Sequence, residues 1–563
     1  MNFELEHTDP FIDLGSYRLP GDRKHSPKIT TIYPALPRKT GNVHFDIFDY
    51  EMLFNDERTK KIIREGNTIG CFYIESPGMR SLLQRLSVDT FEMLTAASSV
   101  IRPGVAESGM MQEFIARHKD PKRRKYLLPE MEKYLGETYG VMIYQEDVIK
   151  IAHHIAGLSL EDADLLRRAM SGKMRSHSAM VKIREKFFQS AKSRKLNATI
   201  ALELWRQIES FAGYAFCKAH SASFALLSFQ VAYLKVHYPA EFMASVLSNG
   251  GGYYSAAVYV QEAIRLGIKI HLPCVNKSEY QYTGKEKEIR IGLMAIKNLS
   301  KNSVDGIIAE RKTNGKFVSL ADFLVRTRSG YEETAALIKC GAMDSFGQTR
   351  PTLMRLLDVY LKKRRLLDES YNDLFMSETY RLEKEVVTGT EYSIEEKCRI
   401  EFEMFDYMVT RHPLHFFEKW TSDSAIVKAA DMRKYNNKKV KMIGWYMTSK
   451  RIKTRKGDIM KFLSLEDLSG TFEAVLFPKT YNKYAVDTLS MGPFILEGKV
   501  DIENGNNLVV DKLEILTVKE LKASVQKDSV EHNYYGDKEK VTEEEFLLAT
   551  SIKKENLVMA YAG

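Results

Sequence analysis

At Lys438 the hydrophobic period of this chain changes, and that change constrains the fold more than any other feature of the sequence. Ahead of it, from about Asp56 to Pro239, apolar residues recur three and four apart, the spacing that gives a helix one apolar face. Beyond it, VKMIGWYM, IMKFLSLED, FEAVLFP, GPFILEGKV and NLVVDKLEIL alternate with period two and are separated by Gly, Asn and Asp. Five such runs in so short a stretch predict a small closed barrel. The expected architecture is multidomain and mainly α, followed by a small β-barrel.

Local punctuation divides the rest. Residues 1–55 read as an irregular lead-in and 56–245 as a helical domain. Within it, Ser159 and Asp162 predict a helix start, Gly172 its end, and Pro239 stops a helix that begins near Ser221. The run Gly250 to Gly252 predicts a turn. Residues 246–375 read as a second helical region, opened by a short α/β patch with a strand over 288–293. A charged helical linker is expected over 376–435, the barrel over 436–518 and a charged tail over 519–563.

Composition adds mainly exclusions. Lys and Arg outnumber Asp and Glu by 83 to 74, a mild excess that permits an anionic partner without demanding one. Cys71, Cys217, Cys274, Cys340 and Cys398 lie far apart with no CxxC pair, which argues against a disulfide framework or a structural zinc site and fits a reducing cytoplasm. The polar start MNFELEHTDP is unlike a signal peptide, and the apolar stretch near Phe224 to Val236 is broken by Ser228, Gln230 and Lys235, so no membrane span is expected.

Cations gather at helix ends. Arg102 precedes a Pro-Gly turn in ASSVIRPG; in LLRRAMSGK, Arg167 and Arg168 sit late in a helix, with Lys173 just beyond its Gly172 end; Lys218 and His220 stand before a helix whose first turn carries Ser221 and Ser223. Unpaired backbone N–H groups and the dipole make such a start an anion site, and guanidinium groups grip phosphate bidentately. Spacing alone favours the plainer reading, exposed cations set at helix ends by the dipole. In the barrel, Lys450, Arg451, Lys453, Arg455 and Lys456 crowd one predicted loop beside Trp445, Tyr446 and Phe462. That is the pattern of a groove that steers and stacks single-stranded nucleic acid, or of a solvated basic turn beside core aromatics.

The blocks TIGCFYIESPGMRSLLQRL, ASSVIRPG, ETYGVMIYQEDVIKIAHHIAGLSLEDADLLRRAMSGK and FAGYAFCKAHSASFALLSFQVAYLKVHYPAEFMASVL, in that order, closely resemble the fingers of the bacterial DNA polymerase III alpha subunit. The likeness runs from about Thr59 to the end of the barrel, the C-terminal portion of that family. It implies a role in DNA replication, with Arg102, Arg167, Arg168, Lys173, Lys218, His220 and Ser221 binding the incoming deoxynucleoside triphosphate. IRIGLMAIKNLSKNSVDGIIAER resembles the first hairpin of the family's tandem helix-hairpin-helix, and LIKCGAMDSFGQTRPTLM stands at the second. In the first, the usual glycines are replaced by the run Asn298 to Asn302, leaving Lys297 and Lys301 as its DNA contacts, with a packing role equally open. The barrel resembles the family's OB-fold, which implies single-stranded template binding by Trp445, Lys450, Arg451, Lys453, Arg455, Lys456 and Phe462. Primer-template DNA, single-stranded template and deoxynucleoside triphosphates are the implied partners, with the sliding clamp and other replisome subunits beyond them. The segment Tyr371 to Phe375 stands where the family places a clamp-binding Gln-x-x-Leu-Phe, with Tyr371 replacing the Gln.

Polymerisation requires carboxylates that hold two magnesium ions, which the family supplies from a palm ahead of the fingers. No Asp-x-Asp strand precedes Thr59; Asp46 and Asp49 are three apart and would face opposite sides of a strand, and Asp13 is a single candidate. The chain alone is therefore predicted to be inactive and to bind no cofactor, with magnesium expected only alongside a complete palm. Two classes of function follow: part of a replicative or error-prone polymerase of this family, or a non-catalytic DNA-binding accessory protein derived from one. An upstream reading frame encoding the palm distinguishes the first.

Overall fold

Short polar side chains start the helices of the fold. In this computed structural model, which describes residues 46–101, 109–170, 177–210, 217–363, 386–454, 456–503 and 505–516, Asp49 and Asp56 open the helices Tyr50–Asn55 and Glu57–Arg64. Their carboxylates accept from Met52 N at 3.0 Å and Thr59 N at 2.7 Å. Ser76 and Thr90 do the same for the helices Pro77–Leu86 and Phe91–Val100. The expected start at Ser159 is present: its Oγ accepts from Asp162 N at 3.0 Å ahead of the helix Leu160–Met170. The expected end at Gly172 lies outside the described residues.

The helix Lys218–His237 runs through the middle of this bundle. Its buried Ser221, Ala225, Ser228 and Ala232 are small, which lets the Phe91–Val100 helix approach closely. Pro239 ends it, and the same proline begins the helix Pro239–Asn249, where the missing N–H costs nothing. That second helix stops at Gly250, whose φ of +57° is the left-handed cap expected there.

A small sheet follows, with strands β1 (Lys269–His271), β2 (Thr283–Lys285) and β3 (Glu288–Arg290). β3 is central, parallel to β1 and antiparallel to β2. Gly284 is required where the sheet meets the start of the Pro239–Asn249 helix, since a Cβ there would lie 2.1 Å from Ala240 O. The helices Lys301–Asn314, Leu320–Thr327, Tyr331–Lys339 and Arg350–Lys362 complete the region. The turn before Lys301 places Asn298 at φ +64°, the left-handed conformation that Asn tolerates in place of Gly.

The barrel has strands β4 (Lys439–Lys453), β5 (Ile459–Glu466), β6 (Thr471–Leu476), β7 (Phe494–Asp501) and β8 (Asn507–Ile515), closed in the order β4-β5-β6-β8-β7. β6 and β8 are parallel; the other pairs are antiparallel. Met442, Leu463, Leu465, Phe472, Phe494 and Leu496 fill its interior. The expected OB-type barrel after a mainly helical part is thus the observed class.

The expected linker is more than a connection. Ser393 and Glu396 form a reciprocal capping box that opens the helix Ile394–Phe405, and Cys398, Met408 and Leu414 pack with Ile443 and Trp445 on the outside of the barrel. Buried charges join the barrel to the helical part. Lys235 Nζ donates to Glu262 at 2.6 Å, Arg265 bridges Glu262 at 3.2 Å and Glu466 of β5 at 2.7 Å, and Arg80 donates to Thr471 of β6 at 2.9 Å. Burial pushes the Glu262 carboxyl up, but Lys235 and Arg265 override it and hold it at about 2.

Candidate nucleotide and nucleic-acid interface

Two cations of the fingers-like part, Arg167 and Lys218, meet at one helix start. Tyr144 leads into the helix Gln145–Lys150, and Asp147 anchors that start by accepting from the backbone N–H groups of Ile143 (2.9 Å) and Tyr144 (3.0 Å). Burial raises the Asp147 carboxyl to about 7 in spite of those two donors. Arg167 reaches this point from the Leu160–Met170 helix and donates through Nη1 to Gln145 Oε1 at 3.0 Å. Lys218 arrives from another direction: its backbone N–H donates to Glu146 Oε2 at 2.9 Å, and its Nζ lies 5.6 Å from the centre of the Tyr144 ring. Arg167 and Lys218, 51 residues apart in sequence, therefore meet at adjacent residues.

Each of these cations already faces a carboxylate. Arg167 and Arg168 both pair with Asp164, at 2.8 and 2.9 Å, and Lys218 Nζ pairs with Glu137 at 2.8 Å. The Asp164 pairs follow from i,i+3 and i,i+4 spacing and were open to reading in EDADLLRR. Glu137 and Glu146 come from the preceding segment, and no local pattern announces them. His220 sets its ring edge-on against Phe224 at 4.5 Å.

Ser221 corrects the expectation. Its side chain is buried, and its Oγ shares a 2.7 Å hydrogen bond with Ser99 Oγ. The hydroxyl fastens two helices together instead of facing an anion, because Ser221 lies on the side of its helix that packs against the Phe91–Val100 helix. Arg102 and Lys173 lie outside the described residues, as does the segment Tyr371 to Phe375.

In the first hairpin, Lys297 Nζ donates to Asp406 Oδ1 at 2.7 Å and its backbone N–H to Met404 O at 3.1 Å, tying the hairpin to the end of the Ile394–Phe405 helix. Lys301 begins its helix exposed, with Nζ 5.6 Å from the Tyr280 ring centre. Lys297 is thus committed to an internal tie, while Lys301 keeps an outward-facing charge.

The basic stretch of the barrel is a paired ribbon where a loop was expected. β4 continues to Lys453, with Lys450 opposite Phe462, Arg451 opposite Lys461 and Lys453 opposite Ile459. Only the few residues around Gly457, at φ +89°, form the turn. Successive side chains on a strand face opposite sides, so Arg451 and Lys453 share one face of the ribbon and Lys450 takes the other. Lys450, Arg451, Lys453 and Lys456 are all exposed and have no ion-pair partner among the described residues. Arg455 lies outside them. Phe462 is half-buried at the root of the ribbon. Trp445 is a correction: only 6% exposed, it packs among Cys398, Ile443 and Ile495 and offers no open face for stacking. The segment expected to be a linker covers it.

Among the described residues, no three His, Cys, Asp or Glu side chains gather to hold a metal ion, and no helix is long and apolar enough to cross a membrane. Asp49, weighed as a metal carboxylate, caps a helix instead.

Comparison with known proteins adds to this geometry. Residues 30–195 match the family pattern of the bacterial DNA polymerase III alpha subunit finger domain, and residues 267–353 match a helix-hairpin-helix motif. The chain is 31% identical over 517 residues to the DNA polymerase III subunit alpha of Staphylococcus aureus (strain MRSA252), a match covering 90% of this chain and 47% of that protein. It is 35% identical over 465 residues to the subunit of the same name from Campylobacter jejuni, covering 80% of this chain and 38% of the relative. The chain spans about half the length, or less, of the curated relatives it matches.

Proposed function

Over the stretch it spans, the chain belongs to the bacterial DNA polymerase III alpha subunit family, and from that premise we propose that it serves DNA replication by gripping single-stranded template and the incoming deoxynucleoside triphosphate. The observation that carries the reading is the ribbon. Arg167, Arg168, Lys218 and Lys297 face carboxylates, while Lys450, Arg451, Lys453 and Lys456 project into solvent with none among the described residues. Phosphate neutralised by such cations releases condensed counterions, which gives affinity without sequence preference. A paired ribbon also holds its charges in fixed register, whereas a loose loop must order on binding.

At the other end, Arg167 and Lys218 suit a triphosphate that displaces Asp164 and Glu137. Those pairs are partly exposed, and such pairs contribute only about 0–1 kcal/mol, so exchanging a single carboxylate for a multiply charged phosphate is inexpensive. The chemistry supplied by two magnesium ions, activation of the primer hydroxyl and stabilisation of pyrophosphate, belongs in this family to palm carboxylates. The described residues form no such cluster, and the proposal concerns gripping alone.

Binding of a fluorescent single-stranded oligonucleotide, measured across a salt series, tests the ribbon. Replacing Lys450, Arg451, Lys453 and Lys456 by Ala should flatten the log–log salt slope by about 0.7 for each phosphate no longer neutralised, close to 3 in all. An unchanged slope removes the assignment. For the triphosphate, Lys218→Ala should weaken dATP binding several-fold; undiminished binding refutes that half of the reading.

A further inference from the structure

A large aromatic side chain is held open to solvent against the helix that carries Lys218 and His220. Phe72 is 47% exposed although Cys71 and Ile74 on either side are buried. Its backbone is fixed: Ser228 Oγ donates to Phe72 O at 3.1 Å, Thr68 Oγ1 to Ile74 O at 2.6 Å, and Gly70 N to Glu75 Oε2 at 2.9 Å. Tyr73 follows at φ +69°, a left-handed conformation that a non-glycine residue keeps only where its surroundings impose it, and one that concentrates at ligand-handling sites. The Tyr73 ring stacks on Phe224 at 4.7 Å and 14°, and Phe72 lies 5.6 Å from the same ring. Phe224 is six residues beyond Lys218 on the Lys218–His237 helix, about 9 Å along its axis and about 120° around it at 3.6 residues per turn, and its ring meets that of His220, one turn nearer the helix start, at 4.5 Å.

We propose that Phe72, Tyr73 and Phe224 form a stacking platform for a nucleobase, whether of a nucleoside triphosphate or of a DNA strand. The proposal rests on the reading of Arg167 and Lys218 as the phosphate grip. Three features favour a base over another flat or apolar ligand. The platform is aromatic, it is built on the helix whose start carries Lys218 and His220, and its loop is pinned, so little ordering is needed when a base arrives. Stacking accepts all four bases, since every base presents a π face, and a template-directed enzyme must do the same.

Three probes of the whole chain separate the two readings: dATP, inorganic tripolyphosphate, and a single-stranded oligonucleotide ending in 2-aminopurine. Wild type should bind dATP about tenfold more tightly than tripolyphosphate, within the range expected of one base–aromatic stack. Phe72→Leu should bring the two affinities together while leaving that for tripolyphosphate unchanged, and Phe72→Trp should restore the gap. Equal binding of dATP and tripolyphosphate by wild type, or a gap that survives Phe72→Leu, overturns the platform. Binding of neither retires the phosphate grip instead. The oligonucleotide then decides the platform: 2-aminopurine quenching lost in Phe72→Leu sustains it, and equal quenching in both proteins overturns it.

Discussion

Replacing Lys235 with Met should destabilise the chain severely. The Lys235 side chain is 2% exposed, and its three N–H donors are all used, to Asn67 O at 2.9 Å, Ile69 O at 2.8 Å and Glu262 Oε1 at 2.6 Å. Methionine keeps the aliphatic stem but leaves two buried carbonyls unpaired and takes the shorter of two cation contacts from a buried carboxylate, which keeps only Arg265 at 3.2 Å. Breaking a buried pair from one side costs about 3–5 kcal/mol. A second route bounds the figure: Glu262 is held at about 2 against an ordinary 4.5 by Lys235 and Arg265 together, and at 1.36 kcal/mol per pH unit the share of Lys235 is at most about 3 kcal/mol. Because this carboxyl is depressed in the folded state, its contribution is present above pH 4.5 and fades as the pH falls towards 2. Urea unfolding followed by circular dichroism near neutral pH should show the midpoint falling by about 1 M or more for a slope near 3 kcal/mol/M. The double variant Lys235→Met, Glu262→Gln should recover a good part of the loss, because no buried charge is then stranded. A single variant that unfolds with wild type, or a double variant weaker than the single, would refute the reasoning.

Two further outcomes test other parts of the account. Burial raises the Glu473 carboxyl to about 7, despite a hydrogen bond from Ser464 and the nearby charge of Arg80. A raised acid favours the folded state fully only below its ordinary 4.5 and loses that advantage as the pH rises through 7. Glu473→Gln should therefore unfold later than wild type above pH 7, by at most about 3 kcal/mol, with the difference shrinking towards pH 4.5; a constant difference across that range argues against a titrating Glu473. Ser221→Ala removes the bond to Ser99 and should cost about 1 kcal/mol in thermal unfolding. Its dATP affinity should match wild type, and a marked drop would return Ser221 to the ligand site.

The elements most legible in the sequence were those that local chemistry dictates. The period-two runs became β4 to β8, Pro239 ended its helix, and Asn298 took the left-handed turn. Features set by distant partners were not legible. KRIK reads as a turn until Lys461 and Phe462 are known to lie opposite, when pairing carries β4 on to Lys453. Trp445 reads as a stacking residue until the Ile394–Phe405 segment is seen to cover it. Lys235 interrupts an apolar run in the sequence, and its partners at residues 67, 69 and 262 appear only in three dimensions. The candidate cations could be picked out by type, but the meeting of Arg167 and Lys218 depended on Gln145 and Glu146, residues with no local signature of their own.

The bridge made by Arg265 has a practical consequence for dissecting this protein. A cut placed where the hydrophobic period changes looks natural in the sequence, yet it would remove Glu466 and Thr471 from guanidinium groups that stay behind. The amino-terminal piece would carry a raw, positively charged scar, and the isolated barrel an acidic one. Fragments intended to report on either half alone need those scars neutralised, for example by Arg265→Met in one and Glu466→Gln in the other. Otherwise their lost stability would be mistaken for a property of the intact chain.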